Sequence, residues 1–283
     1  MKVYTEKQQI SNVIDAFKAK QLAIGMVPTM GALHEGHLAL VKKALNNNDK
    51  VVISIFVNPT QFDNNEDLKK YPRTLEHDVE LLKTVSRKDI LIYAPTVEDI
   101  YEGKTESQHF DFDGLEFEME GKFRHGHFDG VGTIVKRFFD IVKPHNAYFG
   151  EKDFQQLQII KKLVEKYHIP VNIVGCKIHR EANGLAMSSR NTRLKLEYKM
   201  AAPYIYKTLT EAKKHFGTKS ANKVLEWVKK QFAKHDLLEL EYVIIADIKT
   251  LKFVKRKSNK KAYRIFIAVY AGDIRLIDNI ALN

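Results

Sequence analysis

The apolar run Leu22-Ala23-Ile24-Gly25-Met26-Val27 breaks at Pro28-Thr29-Met30-Gly31, and the chain resumes with helical spacing through Leu38, Val41 and Leu45. A strand that turns straight into a helix opens a strand–helix–strand unit, and such units build parallel sheets. Between the two lie His34 and His37, three positions apart around Glu35-Gly36. Residues three apart share a helix face, so both imidazoles are expected to point from the first turn toward the space above the strand ends. A helix N-terminus offers free N–H groups and partial positive charge, which suits a phosphate. Imidazoles there can donate hydrogen bonds to charge developing on a phosphoryl oxygen. Zinc is the weaker reading, because the metalloprotease pattern spaces its histidines four apart.

Further along, apolar runs keep alternating with helical patterns. Strands are expected at Leu22–Val27, Val51–Val57, Ile90–Ala94, Ala147–Phe149 and Val171–Cys176. Helices are expected over Glu6–Ala19, Leu38–Leu45, Leu75–Val85, Val131–Val142 and Phe154–Tyr167. The strands lack strict alternation, as parallel strands buried on both faces do. After residue 183 the character changes. Leu194–Phe216 and Ser220–His235 read as amphipathic helices, and Leu240–Ile248 and Tyr263–Tyr270 as strands. The expected fold is therefore a Rossmann-like α/β domain over 1–183 and a smaller α+β domain over 184–283, with a site in the cleft between them.

Composition limits the class. The 283 residues are 44% hydrophobic and 29% charged, as in a soluble globular protein with a real core. A single cysteine, Cys176, allows no internal disulfide. No apolar stretch approaches the ~20 residues of a membrane span, and Met1–Gln8 lacks the apolar core of a signal peptide. A cytoplasmic enzyme is expected. The net charge of +11 suits nucleic acid, an anionic surface or a small anion such as ATP. The most basic run, Lys252–Lys261, reads as a solvated turn between two strands in preference to an RNA-binding patch.

Three more motifs follow strands or bridge the domains. Val57-Asn58-Pro59-Thr60-Gln61-Phe62 leaves the second strand, where open α/β sheets bind ligands. Gln61 brings one acceptor and two donors without charge. Phe149-Gly150-Glu151-Lys152-Asp153-Phe154-Gln155-Gln156 also leaves a strand and opens a helix. Gly150 permits close backbone approach and Lys152 supplies a point charge for phosphate. Asp153 can cap the helix or reach Mg²⁺ through water, and Gln156 can face the same cavity. In Arg180–Asn191, a flexible Asn183-Gly184 precedes Met187-Ser188-Ser189-Arg190, the pattern of a mobile phosphate-wrapping loop. An ordinary strand exit, a helix cap or a Ser-rich linker would explain each of these alone.

Taken in order, these motifs, with Tyr71-Pro72-Arg73-Thr74 and His127-Phe128-Asp129-Gly130-Val131, resemble the pantoate–β-alanine ligase family over essentially the whole chain. That family belongs to the nucleotidyltransferases sharing a His-x-Gly-His signature. The resemblance implies that pantoate and ATP give pantoyl adenylate and pyrophosphate, after which β-alanine displaces AMP. It implies that His34, His37 and Lys152 carry catalysis, with His37 the proton donor. The implied ATP site comprises Met30, Gly31, Ala32, Leu33, His34, Glu35, Gly36 and His37, with Gly150, Glu151, Lys152 and Asp153. It also takes in His179, through its backbone, and Met187, Ser188, Ser189 and Arg190. Gln61 and Gln156 are implied for pantoate and Gln61 also for β-alanine. Mg²⁺ with ATP is implied as cofactor, Asp153 as its candidate ligand, and a homodimer as the assembly.

Thr60 departs from the family pattern, where methionine is common, and bears on packing beside the pantoate pocket. A sister nucleotidyltransferase would share the histidines but has no need of Gln61 and Gln156 as carboxylate readers. A non-catalytic RNA-binding protein would not need the phosphate-handling residues, all of which are present.

Overall fold

The computed structural model describes residues 1–62 and 65–283. It divides into two compact units, Met1–Lys177 and Ile178–Asn283. No helix among the described residues is long and apolar enough to cross a membrane.

The first unit is a six-stranded sheet. Its strands are β1 (Val3–Tyr4), β2 (Ile24–Thr29), β3 (Lys50–Ile55), β4 (Ile90–Tyr93), β5 (Asn146–Gly150) and β6 (Asn172–Cys176), in the order β1-β4-β3-β2-β5-β6. All the pairings are parallel. Its helices are α1 (Lys7–Ala19), α2 (Glu35–Leu45), α3 (Asn65–Lys70), α4 (Leu75–Lys83), α5 (Val97–Tyr101), α6 (His127–Val142) and α7 (Phe154–Lys166). The apolar spacing that suggested α2 puts Leu38, Val41 and Ala44 into the core, against Val27, Val51, Ile53 and Tyr148. The short edge strand β1 is too brief to show a pattern in the sequence.

Strand order positions the site. From β2 the chain runs one way through β3 and β4 and the other way through β5 and β6, so β2 and β5 flank a switch point. Their ladder consists of Gly25↔Asn146 and Met26↔Ala147. It stops short of Pro28, which has no N–H to carry it further. The loops leaving β2 and β5 therefore rise on either side of a gap.

Helix α6 presses on the exit of β3. A Cβ on Gly130 would run into the carbonyl of Thr60 and lie 2.8 Å from Gln61 Cα, so glycine allows this contact. Asn58 Nδ2 donates to Gly130 O at 3.0 Å across the same junction.

The second unit has α8 (Leu196–Ala201), α9 (Tyr204–Thr218) and α10 (Ala221–Phe232), followed by an antiparallel sheet β7 (Glu239–Asp247), β8 (Tyr263–Ala271) and β9 (Ile274–Ala281). Leu209, Phe216, Val224, Val228, Ile245 and Ile267 are among its buried core. The single helix expected over Leu194–Phe216 is two, because Pro203 separates α8 from α9. The sequence reading also missed β9, which follows β8 through a tight turn with Gly272 at φ +63°. The Lys252–Lys261 run connects β7 to β8, with Lys257 donating to Phe216 O at 2.5 Å and Lys261 paired with Asp247. This unit begins a few residues before the expected boundary at 183. Arg180 grips Asp278 of β9 with two bonds of 2.6 and 2.8 Å, and its guanidinium lies 3.7 Å from the Tyr206 ring centroid.

Substituting Gly130 by alanine is expected to overpack the α6 junction and cost about 1–3 kcal/mol. A shift in denaturant midpoint with unchanged slope would measure it.

Candidate active site

The turn leaving β2 adopts a conformation that few side chains accept. Gly31 has φ +83° and Ala32 has φ +50°. Hydrogen bonds hold it there: Thr29 Oγ1 donates to Ser54 O at 2.7 Å and accepts from Gly31 N at 3.2 Å. Then Ala32 N and Leu33 N donate to the two carboxylate oxygens of Asp78 at 3.0 and 2.8 Å. Asp78 is fully buried on α4, and Thr74 Oγ1 adds a third bond at 3.1 Å. Nothing local in the sequence pairs Asp78 with a turn 45 residues away, so the sequence reading missed it.

This turn delivers His34 to the N-cap of α2. His34 Nδ1 accepts from Gly36 N at 3.1 Å, and His37 Nδ1 accepts from His34 N at 3.4 Å. The rings lie 4.1 Å apart between centroids. Because each Nδ1 accepts, each neutral ring carries its proton on Nε2. Burial, reinforced by the neighbouring His34 and then Lys152, lowers the His37 pKa to about 3. At neutral pH His37 is therefore a neutral ring that carries its proton on Nε2.

Across the switch point, Gly150 ends β5 and Glu151–Asp153 make a 3₁₀ turn into α7. Lys152 comes close enough to His37 to depress its pKa and lies 3.8 Å from Asp153 Oδ1. Asp153 sits at the N-cap of α7 without making the side-chain cap bond considered for it. Gln156 is half-buried in the first turn. Its neighbour Gln155 turns inward and holds the backbone of Leu115, Glu118 and Glu120 with bonds of 2.7–3.0 Å.

The exit of β3 supplies Gln61, which is buried with Nε2 2.8 Å from Met30 Sδ. Its backbone oxygen is held by His127 Nδ1 at 2.7 Å and Arg124 at 3.4 Å. The structure thus brings His34, His37 and Lys152 together, and Met30 to Gln61.

The remaining expected residues lie in the second unit. His179 is exposed, and its backbone oxygen accepts from Met187 N at 3.0 Å. Asn183-Gly184 forms the tip of a small hairpin, bridged by Arg180↔Ala186. Ser188 caps a 3₁₀ helix, Ser189–Arg193, by accepting from Arg190 N at 3.3 Å. Asn191, buried, ties that helix to Ala186 O and Glu181.

Among the described residues no group of three His, Cys, Asp or Glu side chains could hold a metal ion by itself. An ion that arrives on nucleotide phosphates and meets Asp153 through water fits this donor set. Cys176 is buried, and burial raises its thiol pKa, so it is a poor nucleophile.

Asp78→Ala should strand the Ala32 and Leu33 N–H groups, the second of them buried, and cost about 1–3 kcal/mol of stability, with loss of activity from a slackened turn. Chemical unfolding and turnover of the same variant check both. His37 gives a pH signature. Its ring stays neutral in the folded protein to about pH 3 while the unfolded ring protonates near 6.5. The unfolded chain binds the extra proton between those values, so stability falls as pH drops below 6.5. His37→Gln is expected to flatten the decline of Tm from 6.5 down to about 5, above the range where carboxylates titrate.

The pantoate-beta-alanine ligase family profile matches residues 2–281. The pantothenate synthetase of Flavobacterium psychrophilum is 61% identical over 283 residues, all of both chains. That of Bacteroides fragilis is 44% identical over 281 residues, covering 99% of this chain and 98% of the relative. The crystal structure of pantothenate synthetase from Thermus thermophilus superposes with a TM-score of 0.90 at 36% identity, covering 100% of this chain and 99% of that one. The pantoate-beta-alanine ligase of Francisella tularensis, complexed with beta-gamma ATP and beta-alanine, superposes at 0.79 with 34% identity, covering 100% and 98%. The chain belongs to the pantoate–β-alanine ligase family.

Proposed function

We propose that this chain condenses pantoate with β-alanine in two ATP-dependent steps at the β2–β5 switch point. The observation that carries the reading is the pairing of two imidazoles, each accepting at Nδ1 and so protonated at Nε2, beside Lys152. In the first step a pantoate carboxylate oxygen attacks the α-phosphorus of ATP. The bond to the bridging oxygen breaks and pyrophosphate leaves. In the second, the β-alanine amine attacks the acyl carbon, AMP leaves with the bonding pair, and the surplus amine proton passes to water.

Neither step needs a protein nucleophile, and both need negative charge neutralised where it develops. The neutral Nε2–H groups of His34 and His37 would donate to the α-phosphoryl oxygens while Lys152 offsets their charge. Being neutral, His37 loses no proton in doing so. Met30–Glu35, Gly36 and Gly150–Asp153 would shape the nucleotide site around the α2 N-terminus. Gln61 and Gln156 would hold pantoate, and Gln61 would also meet β-alanine. In the second unit, the His179 backbone, Met187, Ser188, Ser189 and Arg190 are proposed to serve ATP, as a lid that excludes water from the adenylate. Mg²⁺ carried by ATP would neutralise phosphate charge, with Asp153 within reach through water. A homodimer in the cytoplasm completes the proposal.

Pyrophosphate release from Mg·ATP, followed with pantoate alone and after adding β-alanine, tests it. A stoichiometric burst that becomes steady turnover to AMP is expected. No pantoate-dependent pyrophosphate from folded, ATP-binding protein would contradict it. His37→Ala and Lys152→Ala are each expected to slow the burst by about 10²–10³-fold, the usual cost of one preorganised donor. Gln61→Ala should act mainly on the pantoate KM.

A further inference from the structure

Gln61 has an oxygen and an amide nitrogen, and which of them faces the ligand decides what it reads. We propose that Tyr101 fixes the Gln61 amide with its nitrogen outward, so that the site reads an oxygen acceptor such as a carboxylate. The proposal rests on Gln61 as a pantoate contact.

The polarity is set through a chain of buried bonds. Tyr101, at the end of α5, donates from Oη to Asn58 Oδ1 at 2.5 Å. Burial raises its phenol pKa, so the hydroxyl keeps its proton. Asn58 is 1% exposed, and with Oδ1 committed as acceptor its Nδ2 faces the other way. That nitrogen donates both protons, to Gly130 O at 3.0 Å and to Gln61 Oε1 at 3.3 Å. Turning Asn58 over would set its oxygen against the Gly130 carbonyl, two acceptors in a buried space. Gln61 Oε1 is thus an acceptor, and Nε2 is the end that remains for a ligand. Its contact there, Met30 Sδ, is a weak acceptor that a carboxylate oxygen can outcompete.

Tyr101 is itself secured. The Arg137 guanidinium lies 4.8 Å from its ring centroid and donates to Ile100 O. Thr60 Oγ1 is 2.8 Å from Tyr101 Oη and 3.3 Å from Asn58 Oδ1. The threonine hydroxyl adds a second hold on the same oxygen. Tyr101 is a positioning residue, acting through Asn58.

Tyr101→Phe removes only the hydroxyl, and Tyr101→Phe with Thr60→Val removes both holds on Asn58. Each would be compared with Gln61→Ala for pantoate KM, ATP KM and inhibition by the primary amide of pantoate. The double variant should raise the pantoate KM about tenfold, the cost of one misplaced buried hydrogen bond. ATP KM should hold, and the amide should gain on pantoate because a freed Gln61 can turn its oxygen outward. If Gln61→Ala raises the pantoate KM while the Tyr101 variants leave KM and amide preference unchanged, the proposal is overturned and the reading of Gln61 stands. If both KM values rise together, or only kcat falls, Tyr101 is structural and the proposal is again overturned. If Gln61→Ala leaves the pantoate KM unchanged, the reading of Gln61 fails and takes the proposal with it.

Discussion

The site depends on how β2 is paired. It lies between β3 and β5, whose connections run in opposite directions, and its ladder to β5 gives out before Pro28. Parallel strands with buried faces make that centre rigid. The gap above it collects a helix N-terminus from one strand and a lysine-bearing turn from the other. A sheet without that reversal would send the two loops apart, and His37 would have no Lys152 beside it.

Rigidity matters because the chemistry asks for charge stabilisation rather than bond-making by the protein. Donors that are already oriented cost no reorganisation when charge appears on the phosphoryl group. Asp78 holds the turn before α2 and the two Nδ1 acceptors fix the imidazole tautomers. His127 and Arg124 hold the Gln61 backbone, and Asn58 its side chain. The turn before α2 and the Gln61 amide are thus held by residues that would not touch substrate. Keeping His37 neutral belongs to the same design, since a cation there would repel Lys152 until ATP arrived.

Much of this was legible in the sequence because it is local. The β2 turn, the His34–His37 spacing and the Gly150–Asp153 run each lie within a dozen residues and follow a strand. What was missed is long-range or conditional. Asp78 lies in no motif, and although His127 and Gln155 lie in motifs, nothing local shows the distant backbone that each of the three holds. The protonation of His37 depends on burial and on Lys152, which approaches only through the fold. Strand β9 reads ambiguously because Ile274–Ala281 interrupts its apolar residues with Arg275, Asp278 and Asn279, of which Asp278 is claimed by Arg180. Helix α8 was merged with α9 because their periodicity continues across Pro203.

The central claim is that this site activates pantoate at the α-phosphorus. Pantoate labelled with ¹⁸O in its carboxylate tests it most directly, with the nucleotide product read by mass spectrometry after turnover with β-alanine. The account predicts one labelled oxygen in AMP and none in pyrophosphate. Label in orthophosphate, with ADP as the nucleotide product, would mean attack at the γ-phosphorus and would contradict it.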